Sequence, residues 1–418
     1  MSNSHYLKNK QLKQSVLLLV SSFVVMGLMI GINYFLTKLF DKESFGSYSL
    51  IINIFSFSQV IFNFGFFYSI SRLIAQSESD QDQKEYYAVG LIYIAVLFLI
   101  MSLAMLLFTL LSVYWNKSGD FYSLLLVSIP FGWVYLLNSY NELVLQGNNR
   151  IDLLSISRIF PKLGFFIILA IIFFNKWNIS LKSTIIFSFI ASGFSYAYIL
   201  IKLKPLFVNV KNKLKKVGVA NKQFGFNIYI GSLFSLGASN LTGVLIGYFG
   251  VDNVEVGYFS IATQLCAPLS LIPNVIATSY FKKFVNANQI DKRLLLIMYV
   301  ISIISLLAIL SLARPFVIII YGVEFTGALI LVYLTAIGTM LYGIADFYNR
   351  FLLSKGMGKE LMKASFIVGG ILLLSNIILI YIWGGKGASA SLIISGASYL
   401  LIINYYYNRI KIITKDVH

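Results

Sequence analysis

The run LIYIAVLFLIMSLAMLLFTLL, Leu91–Leu111, carries no charged residue and would be apolar on every side of a helix. Crossing the hydrocarbon core of a bilayer takes about 20 such residues in a helix. The run also lacks the apolar/polar alternation that an outer-membrane strand requires. It reads as one transmembrane helix, and the rest of the chain repeats it. Candidate spans lie near 15–36, 48–70, 88–111, 123–145, 160–175 and 184–201, then near 225–249, 257–281, 294–313, 327–347, 364–383 and 388–407. The fifth is short for its task. Composition agrees, since 58% of the 418 residues are hydrophobic and 12% are charged, against about 25% charged in a soluble domain. There are too few polar groups to coat a water-facing globule. The predicted fold class is an all-α polytopic membrane protein of about 12 transmembrane helices.

Lys8, Lys10 and Lys13 precede the first span, as they would precede a signal peptide. A signal core is about 7–15 residues long and ends at small residues. This one is longer and has no such end, so it reads as a retained helix. Two histidines (His5 and His418) and one cysteine (Cys266) exclude a disulfide framework and a His/Cys metal site, so no metal or cofactor is expected. Lysine and arginine number 33 against 16 acidic residues, a net charge of +17. With the N-terminus placed in the cytoplasm, the inside segments hold 26 of the 33 basic residues. The outside connections hold the other seven: Lys38, Lys42, Lys117, Lys176, Lys182, Arg314 and Lys386. That asymmetry is the positive-inside signal. It accounts for most of the excess charge, so no nucleic-acid partner is needed.

The largest cytoplasmic connection, from Lys204-Pro205 through Lys211, Lys213, Lys215 and Lys216 to Lys222, divides six spans from six. It predicts an N-terminal lobe over 1–203, a basic linker over 204–224 and a C-terminal lobe over 225–418. Two matches about 210 residues apart support a repeat. Phe45-Gly46-Ser47-Tyr48-Ser49-Leu50 enters the second span and Val256-Gly257-Tyr258-Phe259-Ser260-Ile261 the eighth, each after acidic residues (Asp41 and Glu43; Asp252 and Glu255). Tyr140-Asn141-Glu142 through Gln146-Gly147 ends the fourth span, and Tyr348-Asn349-Arg350 through Lys355-Gly356 ends the tenth. An even number of spans per half gives both lobes one orientation, related by a pseudo-two-fold axis along the membrane normal. Such a pair of lobes encloses a cleft that can open to either side.

These same motifs carry a family resemblance. The chain resembles the Wzx-type polysaccharide flippases of the multidrug/oligosaccharidyl-lipid/polysaccharide exporter superfamily in length, span count, orientation and in the Phe45-Gly46-Ser47-Tyr48, Val256-Gly257-Tyr258-Phe259, Gln146-Gly147 and Leu353-Ser354-Lys355-Gly356 segments. The resemblance implies translocation of an undecaprenyl-pyrophosphate-linked O-antigen or capsular repeat unit across a bacterial inner membrane, driven by an ion gradient or the membrane potential. It implies a polysaccharide polymerase and a chain-length regulator as partners. One departure is that the first span has no basic residue, whereas some relatives have one there.

Ionisable groups within spans are expensive and therefore functional candidates. Glu142 and Asp346 are the ion-coupling candidates; the bland alternative for Asp346 is an i,i+4 pair with Arg350. Arg72, Arg158 and Lys162 at cytoplasmic span ends satisfy either topology or a pyrophosphate clamp, for which the planar guanidinium fork suits phosphate oxygens. Arg314, before Pro315, is the outside candidate and runs against the charge rule. The amides Asn53, Gln59, Asn63, Asn138, Asn141, Asn240, Gln264 and Asn274 either join helices or together line a hydrated, sugar-binding cleft. Asn227 belongs to the same set. Gly27-xxx-Gly31 and Gly243-xxx-Gly247 read as close helix packing, and Pro268 and Pro273 as kinks.

Two other classes remain in play. A polysaccharide polymerase would need a sizeable outer loop, and the longest here is about 13 residues. No GxSxG, P-loop or HExxH motif is present, which argues against an enzyme. A multidrug or cation antiporter of the same superfamily would favour acidic residues in its cavity, and mid-span acids are nearly absent. Both termini and the 202–222 loop are expected in the cytoplasm. A cysteine placed in that loop, at Lys213, should react with an impermeant reagent only after the membrane is opened; labelling from outside intact spheroplasts overturns the orientation.

Overall fold

The computed structural model describes residues 2–112 and 121–415; Lys117 and His418 of the sequence reading lie outside them. The described elements are helical: α1 (Ser2–Leu39), α2 (Lys42–Ile61), α3 (Phe66–Gln76), α4 (Asp80–Ser112), α5 (Phe121–Ser128), α6 (Trp133–Gly147), α7 (Ile151–Phe174) and α8 (Leu181–Leu203). They continue with α9 (Val210–Ala220), α10 (Phe226–Ser232), α11 (Ala238–Phe249), α12 (Val254–Asn286), α13 (Lys292–Ile320), α14 (Ala328–Ser354) and α15 (Gly358–Lys415). Among the described residues ten helical runs are long and apolar enough to cross a bilayer, and the bent pair α5–α6 makes eleven. Gly384 divides α15, already counted once, into two passages, which brings the total to the twelve expected.

Several boundaries differ from the sequence reading, each for a local reason. The second span is not continuous over 48–70: α2 stops at Ile61 and α3 starts at Phe66, with Phe64 and Gly65 at φ of 46° and 83°. Only glycine adopts the second value without strain. The fourth span bends by 48° at Gly132, just after Pro130, whose ring supplies no N–H to the helix ladder. The fifth, expected at 160–175, starts at Ile151 and is 24 residues long, so it is no shorter than its neighbours. By contrast, α12 runs helically through both Pro268 and Pro273.

A helix broken near a bilayer must satisfy the backbone groups it frees. At the α2–α3 break, Tyr229 Oη donates to the Ile61 carbonyl at 2.7 Å and Asn221 Nδ2 donates to the Phe64 carbonyl at 3.0 Å. Ser69 Oγ then donates to Asn221 Oδ1 at 3.2 Å. Asn221 opens a π-helical turn, Asn221–Gly225, and the close approach of Gly225 to Gly65 leaves no room for a Cβ on either. At the other break, Gly384 (φ 56°) turns the chain and the Gly385 N–H donates to Glu255 Oε2 at 2.7 Å.

Packing separates the chain into two compact units: residues 1–41 with 54–233, and residues 42–53 with 234–418. In the first, Tyr140 is fully buried, stacks edge-on against Phe67 and donates from its hydroxyl to the Tyr87 carbonyl at 3.0 Å. The linker residues 204–224 belong to this unit, where Lys213 is 4% exposed and pairs with Asp82 and Glu85. That burial removes Lys213 as a labelling position. The exposed Lys215 and Lys216 replace it as reporters of the same orientation. In the second unit, Phe284, Phe347, Phe351 and Tyr407 form an aromatic core between α12, α14 and α15. The Gly243–Gly247 face of α11 receives Asn53 and Leu50 of α2, with Leu50 2.7 Å from a Cβ placed at Gly247. In the first unit Gly31 packs against Phe166, whereas Gly27 faces open space, so only one glycine of that pair is used for packing.

Asn221→Leu should lower the apparent thermal unfolding midpoint in detergent, because it strands the Phe64 carbonyl at a cost of about 1–3 kcal/mol. Asn221→Gln, which keeps the amide, should lose less. Equal losses would show that packing volume, and not carbonyl capture, holds the break.

Candidate functional site

On α6 the residues Asn138, Glu142 and Gln146 are spaced by four and share one helical face. On α7 the same spacing places Arg158 and Lys162 together. The two faces meet within the first unit. Arg158 Nε donates to Glu142 Oε2 at 3.1 Å and Arg158 Nη2 donates to Oε1, so the guanidinium grips both carboxylate oxygens. Gln146 Nε2 adds a bond to Oε1 at 2.9 Å. From α8, Tyr196 Oη donates to Asn138 Oδ1 at 2.7 Å. No basic residue lies within four positions of Glu142 in the sequence, but one 16 residues away neutralises it. Lys162 sits one turn deeper than Arg158 in the span, where a charge costs more.

Arg72 on α3 is exposed, and its guanidinium lies 4.3 Å from the centre of the Phe224 ring in the π-helical turn. Stacking of this kind orients a guanidinium without consuming its donors.

In the second unit Asp346 does not form the alternative i,i+4 ion pair with Arg350. It accepts a hydrogen bond from Tyr399 Oη at 3.0 Å, and Asn349 Nδ2 donates to the same phenol oxygen at 2.5 Å. Arg350 Nε turns instead to Asn274 Oδ1 at 3.2 Å. The hydrogen bond to the carboxylate thus comes from a phenol and not from a cation. Arg314 is exposed, and α13 continues through Pro315 to Ile320, so Arg314 stands within the helix and not at its end.

The amides divide by burial. Asn63 and Asn141 are buried inside the first unit, Asn63 donating to Ser139 Oγ at 3.2 Å. Both polar atoms of the fully buried Asn141 lack a partner among the described residues. Asn138 is exposed, and Asn53, Gln59, Asn240, Gln264 and Asn274 are half-buried. Asn53 and Asn240 donate back to carbonyls of their own helices. Two partners and one helix break were missed in the sequence. Tyr196 and Tyr399 carry no local signal. The α2–α3 break was legible in Asn63-Phe64-Gly65, a polar–glycine punctuation inside an apolar run.

The family model described as polysaccharide biosynthesis protein matches residues 11–282, well over half of the chain. The chain belongs to this family. It agrees with the resemblance read from the paired motifs. Among solved structures, the chain is similar to the lipid II flippase MurJ in an inward closed conformation (TM-score 0.70, 16% identity, 93% of this chain and 87% of that one). It is also similar to an inward-facing multidrug resistance MATE family transporter of the MOP superfamily (TM-score 0.68, 14% identity, 94% and 95%). A third is a MOP superfamily transporter from Pyrococcus furiosus whose reversed pocket polarity suggests a different function (TM-score 0.58, 12% identity, 96% of each chain). No curated protein matches in sequence. At these identities the likeness establishes the fold, a twelve-helix, two-lobe membrane protein.

Arg158→Leu leaves Glu142 without its cation, and a pair about one-third exposed on each side is worth about 1 kcal/mol. The single variant should unfold at lower temperature, and Glu142→Leu combined with it should recover most of the loss. A double variant no more stable than the single would locate the loss elsewhere.

Proposed function

We propose that the chain is a flippase that carries a polyprenyl-pyrophosphate-linked oligosaccharide from the cytoplasmic to the outer leaflet of the bacterial cytoplasmic membrane by alternating access. Membership of the polysaccharide biosynthesis family carries this reading. Undecaprenyl pyrophosphate is the carrier implied by the sequence resemblance, with a polymerase and a chain-length regulator as partners and both termini in the cytoplasm. A fold shared by transporters of different specificity leaves the choice of substrate to individual side chains.

Charge supports an anionic substrate. Of the two candidate acids, Glu142 is already neutralised by Arg158, and Asp346 is engaged by Tyr399. The basic groups outnumber them. Arg72, exposed and set over the Phe224 ring, is suited to a first contact with a diphosphate at the cytoplasmic boundary. Arg158 then exchanges one anion for another, releasing Glu142 as it takes phosphate oxygens, while Lys162 adds a point charge one turn deeper. Arg314 serves at the outer boundary. Half-buried and exposed amides such as Asn138, Gln59 and Asn274 offer hydrogen bonds to sugar hydroxyls. Between the two acids, Asp346 is the better ion-coupling group, because a carboxylate hydrogen-bonded by a phenol and not by a cation is free to take up a proton or a sodium ion.

In a deletion strain, lipid-linked repeat units should build up and surface glycan should vanish; unchanged surface glycan with new drug sensitivity favours the multidrug reading instead. In the purified protein, Glu142→Gln frees Arg158 from its carboxylate. It should bind a polyprenyl diphosphate about five-fold more tightly, equivalent to about 1 kcal/mol. Arg72→Ala should weaken binding about ten- to hundred-fold, the loss of a charge-assisted bond, with Arg72→Lys intermediate. Normal glycan display by Arg72→Ala and Arg314→Ala at matched protein levels would remove both arginines from the site.

A further inference from the structure

The chain holds no acidic residue between Asp152 and Asp252, so any counter-charge to the linker's lysines comes from elsewhere in the fold. Lys213 turns inward to Asp82 and Glu85 and lies 4.2 Å from the Tyr86 ring centre. Val217, one turn on, is fully buried beside it. This seats α9 on the start of α4 and settles which face remains outside. Lys211, Lys215 and Val219 share that outer face at four-residue spacing, with Lys216 next to them, and all are exposed. Lys202, Lys204 and Lys222 are exposed as well.

Just before α9, Leu206, Phe207 and Val208 are 36%, 59% and 46% exposed. They are not a loose tail. The Leu206 N–H donates to the Lys84 carbonyl at 2.9 Å, and Asn209 Nδ2 donates to Glu85 Oε1 at 3.3 Å. The segment is fastened on both sides of Phe207 and Val208, yet those two side chains point away from the protein. Phe207 follows the last residue of α8, Leu203, by four positions, so it stays within about 14 Å of that helix end.

We propose that this linker, Phe207 and Val208 with the exposed lysines Lys204, Lys211, Lys215 and Lys216, is a docking surface for the anionic phospholipids of the cytoplasmic leaflet. Aromatic and aliphatic side chains enter the boundary between headgroups and acyl chains, while lysines around them meet the headgroup phosphates. Charge complementarity favours this occupant. A basic cluster beside a membrane end is attracted to an anionic leaflet by about five-fold in partition for each lysine near the surface. A nucleic acid or an acidic protein would use the lysines but would leave the fastened apolar pair in water. The proposal goes beyond the transport reading and does not depend on the identity of the cargo.

The test uses the full chain with Cys266→Ser and Phe207→Cys carrying an environment-sensitive fluorophore, reconstituted into nanodiscs. In discs of phosphatidylcholine with added phosphatidylglycerol, the label should shift to shorter wavelength and become shielded from acrylamide, relative to phosphatidylcholine alone. High salt should reverse the shift. Combining Lys211→Gln, Lys215→Gln and Lys216→Gln should weaken the partition of the segment onto the phosphatidylglycerol surface on the order of 100-fold and abolish the shift; these side chains are exposed, so the fold should persist. The same emission in both lipids, an unchanged response in the triple variant, or the full shift produced by inorganic phosphate in phosphatidylcholine discs would each overturn it.

Discussion

In a bilayer no water is available to satisfy a backbone N–H or carbonyl, and the whole architecture follows from that demand. It makes the described chain helical, and it makes every interruption of a helix a place where side chains must take over. The break between α2 and α3 exists because Asn221 and Tyr229 receive the carbonyls that Phe64 and Ile61 release. The break at Gly384 exists because a carboxylate, Glu255, accepts the freed N–H of Gly385. Both caps come from distant stretches of sequence, so the irregular segments also fasten helices to one another.

Charges obey the same economy. Within the first unit Arg158 and Glu142 neutralise each other through a two-point contact, and Lys213 finds two carboxylates and an aromatic face. Such pairs contribute little net stability, since desolvation offsets most of the attraction. What they supply is position. The Lys213 contacts settle which side of α9 faces outward, and the Glu142 contacts settle where the guanidinium of Arg158 is held.

The internal repeat is visible in the side chains but not in the chemistry they perform. Gly257 of the second motif lies against Phe45 and Gly46 of the first, and Asn253 Nδ2 donates to Ser47 Oγ at 3.0 Å within the second unit. The other matched pair has diverged. Tyr140 and Tyr348 are both buried, but the position after the shared asparagine is Glu142 in one and Arg350 in the other. One accepts from an arginine of the next helix, and the other donates to Asn274. The paired positions have kept their packing role and exchanged their charge.

The all-helical class and the twelve passages were legible in the sequence, because hydropathy acts through neighbouring residues and needs no knowledge of the fold. The Gly243–Gly247 packing face was legible for the same reason. Partnerships were not. Nothing near Glu142 announces Arg158, nothing near Asp346 announces Tyr399, and Lys213 looked like its exposed neighbours until α4 was placed beside it. The sequence also joined residues 48–70 into one helix, whereas tertiary contacts to Asn221 and Tyr229 stabilise a break there. Local patterns determine which segments leave water, since that depends on the apolar content of each segment alone. Only the tertiary structure decides which polar atoms satisfy one another, since each such bond requires two groups that are far apart in the chain to arrive at about 3 Å.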